Sequence, residues 1–157
     1  MDRSFHGERR LTMEDMAELN VLHGRYKQEI GEEQPGPEEL GRLHGAIAQG
    51  DIAFYGAFED GGLVGICSVC ACFSTFCYGA CGVLEDFYIL PAYRHRGIAR
   101  RLVAYAYRAS GVQSMTVGCA ECDRAMYQAI GFDCPIGTLL AYSPRGLRGG
   151  NCVPERE

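Results

Sequence analysis

The chain has 157 residues, of which 47% are hydrophobic, so it is long and apolar enough for one ordinary domain with a buried core. Its net charge of -5 at pH 7 argues against a nucleic-acid-binding protein, because a surface that neutralises phosphates needs an excess of basic residues. No window is apolar enough to span a bilayer, and residues 1–10 are too polar for a signal peptide, so we expect a cytoplasmic protein without a membrane partner.

The N-terminal part of the chain predicts a short strand followed by two helices. Thr12 with Asp15 three residues later is typical of a capping box. The positions that then recur at helical spacing are Met16, Leu19, Leu22 or His23, and Tyr26. A second helix is predicted to begin at Pro37, directly after Gly36, and to end at Gly50.

The middle of the chain predicts three antiparallel strands. Residues 52–58 and 63–76 are apolar and aromatic runs, and the turn at 59–62 between them is typical of a hairpin. Residues 82–90 form the third run, which Pro91 stops.

The following segments alternate between helical and strand patterns. Residues 97–109 and 121–130 have helical periodicity, whereas 112–119 and 137–142 have strand composition. A crossover from strand through helix to strand makes the flanking strands parallel. With no internal repeat or long linker, we expect a single domain over residues 1–142.

The C-terminal residues differ in composition from the rest of the chain. Residues 143–157 are rich in proline, glycine and charge, which predicts a flexible tail.

Nine cysteines are present, but their number is odd and no export signal accompanies them, so we expect reduced thiols. Cysteines in apolar strands behave as small hydrophobic residues. A zinc site is the alternative interpretation, with thiolates from the pairs Cys67/Cys70 and Cys119/Cys122. We expect no metal, because alternation along a strand places Cys67 and Cys70 on opposite faces.

Residues 84–101 contain the most informative pattern, a strand that leads through a tight basic turn into a helix. This layout directs backbone N–H groups and the positive end of a helix dipole at one point, which is how proteins bind a pyrophosphate. Gly97 allows close approach of the backbone, and Arg94, Arg96 and Arg100 supply positive charge. The alternative is a solvated basic helix start, but the strand before it and the helix after it favour phosphate binding.

Three motifs in this order resemble those of the GNAT superfamily of acetyl-CoA-dependent N-acyltransferases. Arg94, Gly97 and Ala99 match its pyrophosphate signature, residues 84–89 resemble its central strand, and residues 124–132 resemble its C-terminal motif. The resemblance covers about residues 9–142. It implies an α/β (α+β) fold, with one mixed, centrally splayed sheet of six to seven strands and about four flanking helices.

The resemblance also implies the binding mode of acetyl-CoA as co-substrate. Its pantetheine arm would pair with the central strand near Phe87 and Ile89, with the thioester alongside. The cofactor-binding residues expected from this are Phe87, Tyr88, Ile89, Arg94, His95, Arg96, Gly97, Ile98, Ala99 and Arg100. Many family members have asparagine seven residues before the motif tyrosine, where this chain has Ala120, which offers no side-chain hydrogen bond to the pantetheine. Asp123 is a second departure from the family pattern.

Two residues are the candidate catalytic groups. Glu85 matches the acidic residue that some relatives use as a general base, with a structural carboxylate as the alternative role and Asp86 as a competitor. Tyr127 matches the family tyrosine that donates a hydrogen bond or proton to the departing thiolate; an ordinary core tyrosine is the alternative.

The expected function is transfer of an acetyl group to a primary amine of a small molecule, such as a polyamine, an amino acid or an aminoglycoside. Five glutamates around the first two helices would suit a cationic acceptor or would simply be solvated: Glu29, Glu32, Glu33, Glu38 and Glu39. Protein lysines or N-termini as acceptors, a homodimer, and a non-catalytic acyl-CoA-binding module on the same fold remain open.

Overall fold

The computed structural model describes residues 5–142, and the predicted tail at 143–157 lies outside them. The described residues form five strands and four α-helices, together with short 3-10 turns. Their bounds are β1 Gly7–Arg10, α1 Met16–Glu29, α2 Pro37–Gln49, β2 Ala53–Glu59, β3 Gly62–Ser74, β4 Gly79–Ile89, α3 Ile98–Ser110, β5 Ser114–Val117 and α4 Arg124–Ile130. The chain divides into two compact units, one ending at Val117 and the other beginning at Gly118.

The first unit contains one mixed sheet with strand order β1-β2-β3-β4-β5. The pairs β1–β2, β2–β3 and β3–β4 are antiparallel, whereas β5 runs parallel to β4. The predicted α/β class and the parallel crossover through α3 are thereby confirmed. The expected six to seven strands are corrected to five within residues 5–142.

The strand predicted at 137–142 accounts for part of this difference. These residues have no regular secondary structure. The apolar side chains of this segment stay largely exposed, with 87% exposure at Leu139 and 90% at Tyr142. A strand pattern becomes a strand only when its backbone pairs with a neighbour and one face is buried, and neither condition is met here.

Helices α1 and α3 cover opposite faces of the sheet. Phe54 belongs to a buried cluster with Leu19 and Leu22 of α1. The next residue, Tyr55, has its ring 6.1 Å from that of Tyr105 on α3. Because successive strand residues point to opposite faces, the two helices enclose the sheet between them. Among the described residues no helix is both long and apolar enough to cross a membrane.

The predicted capping box at the start of the first helical segment is present. Asp15 accepts a hydrogen bond from the Thr12 N–H at 2.7 Å. The guanidinium of Arg9 also donates two bonds of 2.7 Å to the same carboxylate. The Arg9 hydrogen bonds, with the Thr12 N–H, hold the pKa of Asp15 below its usual value against the opposing effect of burial.

Replacing Asp15 with asparagine is expected to lower the free energy of unfolding by about 1–2 kcal/mol at pH 7, because the cap and the charged bonds to Arg9 weaken together. The folded-state pKa of Asp15 is depressed, so its stabilisation is present above the unfolded-state pKa and is lost as pH falls through the folded-state value. In urea denaturation, the difference in free energy of unfolding between wild type and Asp15→Asn should therefore become smaller below about pH 4. Glu14→Gln is the matched control; a gap independent of pH would contradict the role of the charge.

Candidate active site

Strands β4 and β5 separate part-way along β4. Their ladder runs from Cys81 opposite Ser114 to Leu84 opposite Val117, whereas β4 continues to Ile89. Residues 85–89 therefore extend beyond the last pair of this ladder, as a centrally splayed sheet requires.

The backbone of this extension has a defined orientation. The N–H of Leu90 donates to the carbonyl of Val64 at 2.9 Å, toward β3. In an antiparallel ladder the backbone N–H and C=O groups of successive residues point alternately toward and away from the partner strand. Those of Tyr88 therefore also point toward β3, whereas those of Phe87 and Ile89 point toward the opposite edge of β4. That edge is where the resemblance expects pantetheine to pair.

A β-bulge interrupts β4 at the start of the extension. Cys67 lies opposite Phe87 and Val69 lies opposite Leu84, so Ser68 alone opposes two residues of β4. The fully buried Ser68 hydroxyl donates to Asp86 Oδ2 at 2.7 Å and accepts from the Asp86 N–H at 3.0 Å. These two bonds hold the bulge in place. Sequence reasoning missed it, although a serine within an apolar strand was a signal.

The two adjacent carboxylates of the bulge differ in environment. Asp86 is half-buried and bonded to Ser68, whereas Glu85 is exposed, and no hydrogen bond or ion pair engages it among the described residues. The pKa of the Cys70 thiol is raised first by burial and then by both carboxylates. Both carboxylates therefore lie near Cys70, because Glu85 and Asp86 together stand opposite Ser68 at the bulge.

His23 of α1 adds a third ionisable group on this side of the sheet. It is 8% exposed, its ring lies 6.2 Å from that of Phe54, and its Nδ1 has no hydrogen-bond partner within the described part of the chain. Burial lowers the pKa of His23, while the negative charge of Asp86 opposes this shift. The imidazole is therefore neutral at pH 7. The sequence pattern predicted either Leu22 or His23 on the buried face of the helix, and the structure shows that both are buried.

The turn between β4 and α3 has the backbone of an anion site. His95 and Gly97 have positive φ of 62° and 77°, and α3 begins directly afterwards at Ile98. Turns of this kind form concavities of N–H groups, and the first helical turn adds N–H groups without intrahelical acceptors. A Cβ at Gly97 would meet only the Arg101 side chain at 3.8 Å, so the backbone conformation, not crowding, favours glycine.

Arg94, predicted to bind phosphate, makes several contacts within the protein. Its Nε donates to the carbonyl of Ile89 at 2.9 Å, and its Nη2 pairs with the carboxylate of Glu29 at 2.7 Å. Its guanidinium also lies 5.5 Å from the centre of the Tyr88 ring. Arg94 thus connects the end of α1 to the end of β4. Sequence reasoning missed this connection.

Most of the remaining predicted cofactor-binding residues are either buried or exposed, and Ala99 is half-buried. Tyr88 and Ile98 are 6% and 2% exposed and pack in the interior, so only their backbones are available to a ligand. His95, Arg96 and Arg100 are exposed, with the Arg96 guanidinium 5.0 Å from the centre of the Tyr93 ring.

The second unit carries Tyr127 on α4. The residue is half-buried, and its ring lies 6.0 Å from that of Phe132 in an edge-on arrangement. No residue of α4 is buried.

The glutamates expected to attract a cationic acceptor are mostly engaged by neighbouring groups. Four of the five have a partner in the structure: Glu29 with Arg94, Glu32 with Lys27, Glu38 with Arg42, and Glu39 with the N–H of Gly36. Three of these partners are cationic side chains, which offset part of the local negative charge. The acidic composition of this region is therefore a weak indicator of the acceptor.

The cysteines proposed as the alternative zinc site differ widely in exposure. Cys67 is fully buried, Cys70 is half-buried, and Cys119 and Cys122 are exposed. Across residues 5–142 no group of three or more His, Cys, Asp or Glu side chains is arranged to bind a metal ion.

Residues 50–134, more than half of the chain, match the family model of the acetyltransferase (GNAT) domain. The chain belongs to the GNAT family of acetyltransferases. This GNAT protein is therefore an acyltransferase enzyme. A comparison with curated proteins finds no significant match.

Solved structures show the same fold at low sequence identity. AAC(6')-Iy, in complex with the bisubstrate analogue CoA-S-monomethyl-acetylneamine, is 20% identical with a TM-score of 0.72, covering 90% of this chain and 99% of its own. An aminoglycoside acetyltransferase from an uncultured soil metagenomic sample, in complex with sisomicin, is 12% identical with a TM-score of 0.72, covering 87% and 93%. The ribosomal-protein-alanine N-acetyltransferase of Brucella melitensis is 19% identical with a TM-score of 0.67, covering 88% and 98%.

Proposed function

We propose that this GNAT enzyme transfers an acetyl group from acetyl-CoA to a primary amine of a small molecule, by direct attack in a ternary complex. One observation supports this most strongly: the part of β4 beyond the β5 ladder leads directly into the turn at 94–97 and the N-terminus of α3. A single ligand with an extended arm and a pyrophosphate fits both features. Complexes of structural neighbours with a CoA-containing analogue and with an aminoglycoside are consistent with the proposal.

The turn would bind the pyrophosphate through backbone N–H groups near Arg96, Gly97 and Ala99. Each charge-assisted hydrogen bond from an arginine contributes about 1.5–3 kcal/mol when well formed. Arg96 and Arg100 are exposed at this end of α3 and suit that role. Arg94 would act at the same place by holding Ile89 and the end of α1 in position.

The strand extension would place the thioester next to Phe87 and Ile89. A backbone N–H directed at the developing oxyanion stabilises the transition state by about 3 kcal/mol in characterised enzymes. The bulge at Glu85 and Asp86 changes the direction of β4 just before this point, which is where sheets commonly position functional groups.

The attacking amine has to lose a proton. With a pKa near 10.4, only about one part in a thousand is neutral at pH 7, which adds about 4–5 kcal/mol to the barrier. Glu85 would be the general base, directly or through water, because its carboxylate is exposed whereas that of Asp86 is bonded to Ser68.

Replacing Glu85 with glutamine is expected to lower kcat/KM by about 100-fold, because the base is lost while the shape of the side chain is retained. Asp86→Asn is the matched control: it keeps an oxygen acceptor for the Ser68 hydroxyl and should retain most activity. Steady-state rates between pH 5 and 9 would check both variants. Loss of rate in Asp86→Asn but not in Glu85→Gln would show that Asp86, and not Glu85, accepts the proton.

The proposed function is tested by a screen of candidate amine acceptors. Purified protein is incubated with acetyl-CoA and separately with polyamines, aminoglycosides, amino acids, lysine peptides or peptides with a free N-terminus. Released CoA is quantified by chromatography, because the nine cysteines of the protein would react with thiol dyes. We expect CoA and acetylated product in equal amounts with at least one small amine. Turnover with peptides alone would favour a protein substrate, and binding without any turnover would reject the proposal.

A further inference from the structure

Two cysteines meet at the end of the hairpin formed by β3 and β4. Cys77 lies in the turn, next to Tyr78 with its positive φ of 50°, and Cys81 lies two residues into β4. Both residues are half-buried. Their Sγ atoms are 3.0 Å apart, the one sulfur pair within hydrogen-bonding distance in the described part of the chain.

The two thiols have different hydrogen-bonding environments. The Ser114 hydroxyl donates to Cys81 Sγ at 3.2 Å, whereas Cys77 Sγ lies 3.7 Å from the Gly79 carbonyl and 3.8 Å from that of Ser74. The pKa of Cys81 is lowered, first by the hydrogen bond from Cys77 and then by that from Ser114. The pKa of Cys77 is raised, mainly by its hydrogen bond to Cys81. Cys81 is therefore the more readily deprotonated thiol of the two, and Cys77 is the second thiol beside it.

We propose that Cys77 and Cys81 form a redox modification site, at which a small-molecule disulfide converts the two thiols into an intramolecular disulfide. The Cys81 thiolate attacks one sulfur of oxidised glutathione, forming a mixed disulfide and expelling one glutathione thiolate. Cys77 loses its proton and attacks the Cys81 sulfur, expelling the second glutathione. Two electrons pass from the protein to the glutathione disulfide, which is reduced to two thiols.

The surrounding cysteines do not offer an equivalent pair. Cys72 lies opposite Cys81 in the ladder and is exposed, but Cys77 is the residue in sulfur contact with Cys81. Cys67 is fully buried, and burial raises the pKa of its thiol. The proposed site also begins the β4–β5 ladder, because Cys81 pairs with Ser114 there. It is independent of the groups assigned to acetyl transfer.

The test uses the reduced protein equilibrated in glutathione buffers of increasing oxidised fraction, followed by alkylation, chymotrypsin digestion and mass spectrometry. Cleavage after Tyr78 separates Cys77 from Cys81, so only a disulfide keeps the two peptides together. Wild type and Cys72→Ser should lose two alkylatable thiols and yield the linked peptides. Cys81→Ser should show neither the loss of two thiols nor the linked peptides. Cys77→Ser should retain glutathione on Cys81, because the thiol that would displace it is missing. Full alkylation of wild type in the most oxidising buffer, or a Cys72–Cys81 link, would overturn the proposal.

Discussion

Replacing Gly97 with glutamate is expected to abolish measurable acetyl-CoA binding, with the dissociation constant raised at least about 100-fold, or about 2.7 kcal/mol. Two effects act together. Gly97 has φ of 77°, a conformation that residues with a Cβ rarely adopt. The added carboxylate would also lie at the N-terminus of α3, where the pyrophosphate is proposed to bind. Calorimetric titration with acetyl-CoA measures the loss.

The other end of the same helix provides a matched control. Gly111 has φ of 69°, and a Cβ there would meet nothing within 4 Å. Gly111→Glu therefore introduces similar backbone strain, about 1–2 kcal/mol, with the same added charge but far along the helix from the proposed phosphate site. It should lose stability and keep its affinity for acetyl-CoA. If Gly97→Glu bound acetyl-CoA as tightly as Gly111→Glu and wild type do, the turn would not be the binding site of the coenzyme.

Replacing Tyr127 with phenylalanine is expected to lower kcat by about 100-fold while leaving the dissociation constant of acetyl-CoA unchanged. The phenol would donate a hydrogen bond to the sulfur as the thiolate departs. With a phenol pKa near 10 and a thiol pKa near 8.5, complete proton transfer is uphill by about 2 kcal/mol, so a hydrogen bond is sufficient. Steady-state kinetics and calorimetry on the same preparation separate the effect on rate from that on binding.

Tyr142→Phe is the control for this prediction. Tyr142 belongs to the same unit and is 90% exposed, so loss of its hydroxyl should change neither rate nor affinity. A fully active Tyr127→Phe variant would remove Tyr127 from the mechanism. Loss of affinity without loss of rate would assign it to coenzyme binding.

Helix ends were predictable because their signals are local. The capping box at Thr12, the proline start of α2 and the left-handed glycine after α2 are all present. Each depends on residues within one turn of the helix. The tight turn between β4 and α3 was predictable for the same reason, since Gly97 and its basic neighbours are consecutive in sequence.

The missed features depend on residues that are distant in sequence. The bulge at Asp86 is held by Ser68 on the neighbouring strand. The contact of Arg94 with Glu29 joins residues 65 positions apart. No local pattern specifies such pairings, since they arise only once strand register and helix docking are set. The same limit explains the strand wrongly predicted at 137–142, where strand composition was present but pairing with a neighbouring strand was not.

The proposed position of acetyl-CoA is tested most directly by a nuclear magnetic resonance titration of ¹⁵N-labelled protein with acetyl-CoA. We expect the largest amide shifts at two separate segments, Phe87 to Ile89 on β4 and Arg96 to Arg100 at the start of α3, saturating together at one coenzyme per chain. Saturable shifts confined to other parts of the chain, or none at either segment in natively folded protein, would contradict the proposal.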